Sequence, residues 1–322
     1  MSAPTAITRD LVLLDAPSNL GLRPPAIGAV PGVYKLAGAL RDQGLLERLG
    51  AREGGVVVPP RYLSQWEPGA GVRNEDAIAR YSRRLAARLG ALVDAGSFPL
   101  VLGGDCSILL GHMLALRQRG RYGLVFVDGH SDFRHPGNAE FVGAAAGEDL
   151  ALVTGRGDSL ANLDELGPYV LDADVVVVGI RNETRIDELL AAGIGVQTAD
   201  DVLDSGAANA ASDVLATLPL TELDGFWIHC DVDVLDSAVM PAVDTPEPDG
   251  LDLGDLTSLL AVLLADERAV GLEITVFDPD LDDTGQLARQ LADSLCDSFA
   301  QSRAFANIAP AGAVVEAETE GT

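Results

Sequence analysis

Aromatic residues make up only 5% of this 322-residue chain. A core must therefore rest on Ala, Val, Leu and Ile. Cysteine is equally scarce: Cys106, Cys230 and Cys296 are too few and too scattered for a disulfide framework. Lysine is nearly absent, Lys35 standing alone, and the remaining basic residues are arginine, which reads as a composition habit. Against 22 basic residues stand 49 acidic ones, for a formal charge of −27. Nucleic acid and an anionic membrane surface would both repel such a chain, whereas a small cationic substrate would not. No apolar run reaches the ~18 to 20 residues of a membrane helix. Residues 1–10 lack the basic segment followed by an apolar one that marks secretion, so the expectation is a cytoplasmic protein.

What is present is a globular composition, 48% hydrophobic and 22% charged, with length for one large domain or two ordinary ones. Unbroken apolar runs at 11–14, 100–102, 124–127, 174–178, 226–228 and 271–277 read as strands buried on both faces of a parallel sheet. Helical patterns lie between them. One places Ile78, Tyr81, Leu85, Leu89 and Leu92 on a single stripe, with Asn74 as N-cap and Gly96 as stop. Others span 107–117, 183–192, 252–264 and 284–302. Glycine and proline gather at 20–32 and 135–147, and no repeat or low-complexity linker appears. The alternation predicts a three-layer α/β/α sandwich around a mainly parallel sheet, as one domain over 1–309. Residues 310–322 read as a frayed acidic tail.

Three polar clusters follow directly on apolar runs, where ligands bind in such sheets. They are Gly103-Gly104-Asp105-Cys106-Ser107, Asp128-Gly129-His130-Ser131-Asp132 and His229-Cys230-Asp231-Val232-Asp233-Val234-Leu235-Asp236. On an extended backbone, alternation sends Asp128, His130 and Asp132 to one side, and likewise His229, Asp231 and Asp233. Four carboxylates and an imidazole at one sheet edge repel one another strongly without a cation. Carboxylate with imidazole suits Mn, Fe, Co, Ni or Zn, and two such metals sharing carboxylates would generate hydroxide at neutral pH. One such cluster alone reads equally as a loop with capping aspartates; two after two strands favour a metal site. His229 shares the face of Asp231 and reads as a support behind the ligands. His112 reads as a core or surface histidine, and His135 stays unassigned.

At these residues the chain resembles the arginase and agmatinase superfamily, the ureohydrolases. Its members carry G-G-D-H-S, D-A-H-x-D and D-x-D-x-x-D-P segments in this order. The likeness runs from Asp15-Ala16-Pro17 to Asp278-Pro279 and includes the loop from Thr245 to Leu251. It implies an arginase-like fold and a homo-oligomer, a trimer or hexamer. One metal would be held by Cys106, Asp128, Asp132 and Asp231, the other by Asp128, His130, Asp231 and Asp233. Asp128 and Asp231 would bridge. Asp128, His130 and Asp233 are the catalytic candidates, with hydroxide attacking a planar guanidino or amidine carbon of a small molecule. Asp233 would also anchor the hydroxide or the leaving amine. Two Mn per chain are implied. Substrate contacts are expected from loops at Asn19, Asn138, Arg181, Asn182 and Glu183, with Arg181 able instead to pair structurally with a carboxylate.

Four departures stand out. Ser237 replaces a proline of the third segment. Cys106 replaces the first ligand histidine, and a thiolate favours Zn, Fe, Co or Ni over Mn. Val276 occupies the place of the guanidinium-binding glutamate, and Glu273 that of a family aspartate. The loop 141–150 has no shuttle histidine; Glu148 or Asp149 could act as acid or base, with helix capping favoured, and His135 is the one imidazole nearby. Three readings remain: hydrolysis of a guanidino or amidine compound, hydrolysis of a modified guanidine or other amide in a divergent pocket, and a non-catalytic metal-stabilised protein.

Overall fold

A computed structural model describes residues 9–157, 159–181, 185–306 and 308. Asn182 and Glu183 lie outside the described residues, as does the tail at 310–322. Among the described residues, eight strands form one sheet: β1 (Asp10–Asp15), β2 (Arg52–Val56), β3 (Ser97–Leu102), β4 (Tyr122–Val127), β5 (Val175–Ile180), β6 (Gly195–Thr198), β7 (Gly225–Asp231) and β8 (Ala269–Thr275). Their order is β2-β1-β3-β8-β7-β4-β5-β6, and every described pairing is parallel. The six strands expected from apolar runs are all present. The other two are β2 and β6, which form the sheet's edges.

Helices cover both faces. Leu36–Asp42, Ala207–Thr217, Leu253–Ala265 and Gln286–Ser302 enclose one core with Leu13, Leu102, Val127 and Ile228. Glu75–Asp94 and Leu109–Arg117 enclose the other with Leu14, Val101, Phe126 and Trp227. The stripe from Ile78 to Leu92 is buried as its spacing requires. Asn74 does precede this helix, but at φ 56° and without a side-chain cap. Its amide instead donates to the Leu20 carbonyl and accepts from the Leu63 N–H, tying two loops to the helix start. The helix expected over 183–192 is described over Ile186–Ala192.

Strand order decides where chemistry can collect. β3, β8, β7 and β4 are consecutive at the middle of the sheet. All four run the same way, so their C-terminal ends open onto one place.

Candidate metal centre

Cys106 is fixed by the turn before it. The Asp105 carboxylate accepts from the Ser107 N–H at 2.9 Å and from the Ser18 hydroxyl at 2.7 Å, while its own N–H donates to the Ser18 carbonyl. Gly104 permits this approach: a Cβ there would fall 1.7 Å from the Ser18 oxygen. The thiol of Cys106 then donates to Asp231 Oδ2 at 2.8 Å, with Thr275 Oγ1 at 3.3 Å.

The second and third clusters leave their strands sooner than a period of two assumes. β4 ends at Val127, and Asp132 turns into the left-handed region at φ 44°. β7 carries His229 and Asp231, but Asp233 lies in the short 3-10 turn Val232–Val234. Convergence is therefore achieved by turns as well as by alternation. The His130 N–H donates to Asp128 Oδ1 at 2.6 Å, and the Gly129 N–H to Asp233 Oδ1 at 3.1 Å. His130 Nδ1 lies 2.8 Å from Asp233 Oδ2, and the Asp233 N–H donates to Asp231 Oδ1 at 2.8 Å.

Donor atoms collect in three overlapping groups, each within a span of 4.8 Å: Cys106, Asp128, His229 and Asp231; Cys106, Asp132 and Asp149; and Asp128, His130 and Asp233. Asp128 belongs to two of them. Burial, reinforced by Asp233, pushes Asp128 and Asp231 far above the usual carboxylate range, with Asp132 and Asp231 adding to the effect at Asp128 and Asp244 at Asp231. Burial likewise lifts Asp132 to about 7. It also raises the Cys106 thiol, with Asp231, Asp149 and Asp128 adding to the effect. Burial opposes the charged form of His130, yet Asp233, Asp132 and Glu247 outweigh it and raise His130 to about 9.

These residues fit a divalent cation. Asp128 Oδ2 and His229 Nε2 are buried without a hydrogen-bond partner. Leaving such an atom unsatisfied costs about 1 to 3 kcal/mol, and a cation would satisfy both while relieving the crowding of carboxylates. Thiol, imidazole and carboxylate together form a donor set for a first-row transition ion.

The site faces a cavity of about 850 Å³. Cys106, His130, Asp132, Asp231, Asp233, Asp244 and Val276 are on its wall, and Arg23, Arg134 and Arg185 also line it. Burial raises Asp244 to about 6. Other expected contacts are engaged elsewhere. Arg181 is buried and donates to the carbonyls of Asp233, Val234, Leu235, Glu247 and Pro248, so it binds two loops together from behind the cavity. Asn138 donates to the Phe133 carbonyl and to Glu188, and accepts from the His135 N–H. Asn19 donates to the Pro31 carbonyl. His135 Nδ1 accepts from the Gly137 N–H.

Glu148 and Asp149 also differ from expectation. Glu148 occupies the N-cap position of Asp149–Val153 without capping it, and accepts instead from the Gly143 and Ala144 N–H groups. Asp149 is fully buried and faces Asp132 and Cys106. The sequence holds no signal for this, because an acid before Leu-Ala-Leu-Val reads as a helix start. Glu273 was equally hidden. It is fully buried, receives the Trp227 indole N–H at 3.2 Å, and lies 2.5 Å from His112 Nδ1 and 2.8 Å from His229 Nδ1. Burial works against its charge, but the two histidines outweigh it and hold Glu273 down to about 2.

A parallel α/β sheet that gathers carboxylates, imidazoles and a thiol around a shared aspartate defines the class, an α/β protein built for divalent metal. A profile of the Arginase family matches residues 51–300, and the chain belongs to that family, whose members are metal-dependent hydrolases of C–N bonds other than peptide bonds. It is 25% identical over 297 residues to an arginase of Staphylococcus aureus, covering 91% of this chain and 97% of the relative. It is 27% identical over 307 residues to an arginase of Agrobacterium fabrum, covering 93% of each. The structure of arginase from Bacillus caldovelox superimposes with a TM-score of 0.79 at 25% identity, covering 91% of this chain and 98% of that one.

Proposed function

We propose that the chain holds two divalent cations at the shared-aspartate cluster and hydrolyses a C–N bond of a small amidine or modified guanidine bearing a carboxylate at its far end. The observation that carries this reading is the place of Asp128 in both the Cys106 group and the His130 group. Cys106, Asp128, Asp132 and Asp231 would hold one ion, and Asp128, His130, Asp231 and Asp233 the other. Bound there, such ions polarise the reacting carbon's substituents and lower the pKa of water. The Cys106 thiolate moves preference from Mn toward Zn, Fe, Co or Ni.

The remaining work falls to the chain's own residues. Asp233, held at both oxygens by Gly129 and His130, is placed to orient the attacking water or the departing amine. Val276 leaves an apolar surface on the wall. Asp278 is occupied by the Gly32 and Asp280 N–H groups, and Asp280 by Lys35, so neither is free to replace the missing glutamate. That favours a modified guanidine or an amidine over an unmodified guanidinium. Arg23 and Arg134 supply the cation for a carboxylate, whereas Arg185 is paired with Glu188 at 3.2 Å. Assembly as a trimer or hexamer and a cytoplasmic setting belong to the same reading, supported by family membership, and light scattering on the purified chain tests the former.

The test is a panel of guanidino, amidine and amide compounds with and without a carboxylate, assayed for ammonia, urea or amide release on protein loaded with Mn²⁺, Co²⁺ or Zn²⁺. Turnover of a carboxylated amidine is expected. A metal-loaded protein inert to the whole panel would contradict the reading and favour a non-catalytic role.

A further inference from the structure

We infer that His229 is itself a metal ligand, bound through Nε2, joining Cys106, Asp128 and Asp231 at the Cys106 position and backed by Glu273. This rests on the dinuclear reading above.

The imidazole is fixed in a ligating pose. It stands on β7 two residues before Asp231, on the same face of the sheet. Its ring stacks on Phe126 with centroids 4.5 Å apart and planes 13° apart. Across the sheet, in register with it, lies Glu273. An ionised carboxylate only accepts hydrogen bonds, so His229 Nδ1 carries the proton and donates it to Glu273 at 2.8 Å. In the neutral imidazole Nε2 is left with a lone pair; it is buried without a hydrogen-bond partner, and a ring nitrogen of His229 lies within 4.8 Å of donors of Cys106, Asp128 and Asp231.

His112 Nε2 is also buried without a partner, but His229 differs in standing among other metal-capable donors. The arrangement is that of a metal-bound histidine, whose other N–H is donated to a carboxylate that sets tautomer and orientation. It also accounts for Glu273, a fully buried carboxylate that His112 and Trp227 hold from the far side. Burying a charge there is costly unless it serves such a purpose. The imidazole that position 106 lacks is thus supplied from the sheet floor, beside the thiol. A set of one thiolate, one imidazole and carboxylates suits Zn²⁺ or Co²⁺.

The test uses metal-free full-length protein titrated with Co²⁺, following bound metal by equilibrium dialysis and the sulfur-to-cobalt charge-transfer absorbance of Cys106. For His229→Gln, whose amide can still donate to Glu273, the dissociation constant of the thiolate-bearing site should rise by more than about 100-fold, beyond the 10- to 100-fold that loss of a supporting partner costs. Glu273→Gln should fall within that lower range. In the Co²⁺-loaded wild type, paramagnetically shifted imidazole N–H resonances should come from two histidines, His130 and His229, which needs no variant to fold. A weakening of about 10-fold or less in His229→Gln, or shifted resonances from a single histidine in the wild type, would overturn the inference and leave the dinuclear reading standing. A wild type that binds no Co²⁺ would overturn both.

Discussion

Val276 has φ 72°, a conformation that strongly disfavours a β-branched side chain, and it is buried on the cavity wall. Its N–H donates to the Gly104 carbonyl at 2.7 Å, so the strained residue is tied to the turn that presents Cys106. Replacing it by glutamate puts an acid on the stretch of wall that is apolar at Val276. A charge-assisted contact is worth about 1.5 to 3 kcal/mol, so Val276→Glu should raise kcat/KM for unmodified guanidines roughly 10- to 100-fold. No gain in their turnover would mean that Val276 does not set this preference. Arg134 offers the complementary prediction. Arg134→Ala should raise KM for a carboxylated substrate about 10-fold or more while leaving its uncharged analogue within about 2-fold, as loss of a charge-assisted hydrogen bond requires. Equal loss on both would remove Arg134 from substrate recognition.

Helix termini and turns carry the next level. Asp252 and Asp255 form a reciprocal capping box at the start of Leu253–Ala265, with distances of 2.8 and 3.2 Å. Asp252→Ala should cost about 1 kcal/mol, read as a lower urea midpoint with metal content unchanged. Gly104→Ala is expected to act differently, because its Cβ would meet the Ser18 carbonyl and displace the turn bearing Cys106. It should lose metal from the Cys106 position while the His130 position still fills. At this scale the sequence was legible wherever burial writes a pattern. Six strands buried in the sheet interior read directly as apolar runs. β2, Arg-Glu-Gly-Gly-Val, and the partly exposed β6, Gly-Val-Gln-Thr, have no such run, because an edge strand need not be apolar on both sides. The three polar clusters were equally plain, and strand order now explains why they meet. Asp149, Glu273 and the backbone-bound Arg181 were not legible. Their roles depend on which loop lies opposite, and that is written in no local spacing.

For the molecule as a whole, the crowded carboxylates couple stability to protons and to metal. In metal-free protein, Asp132 is raised to about 7 and Asp244 to about 6, against 3.8 unperturbed. Between those values the folded chain binds more protons than the unfolded one, so unfolding free energy falls as pH rises from about 4 to 7. Urea titrations of metal-free protein across that window should show midpoints declining with pH. A saturating divalent cation should raise the midpoint near pH 7, since a ligand that binds only the folded state stabilises it by about 2.7 kcal/mol at 100 times its dissociation constant. The most direct test of the whole account is the metal content per chain of protein equilibrated with Co²⁺ and dialysed, comparing wild type with Asp128→Ala. Two cation positions that share Asp128 predict two equivalents in the wild type and fewer than one in a folded Asp128→Ala. One equivalent or none in the wild type, or two retained without Asp128, would contradict it.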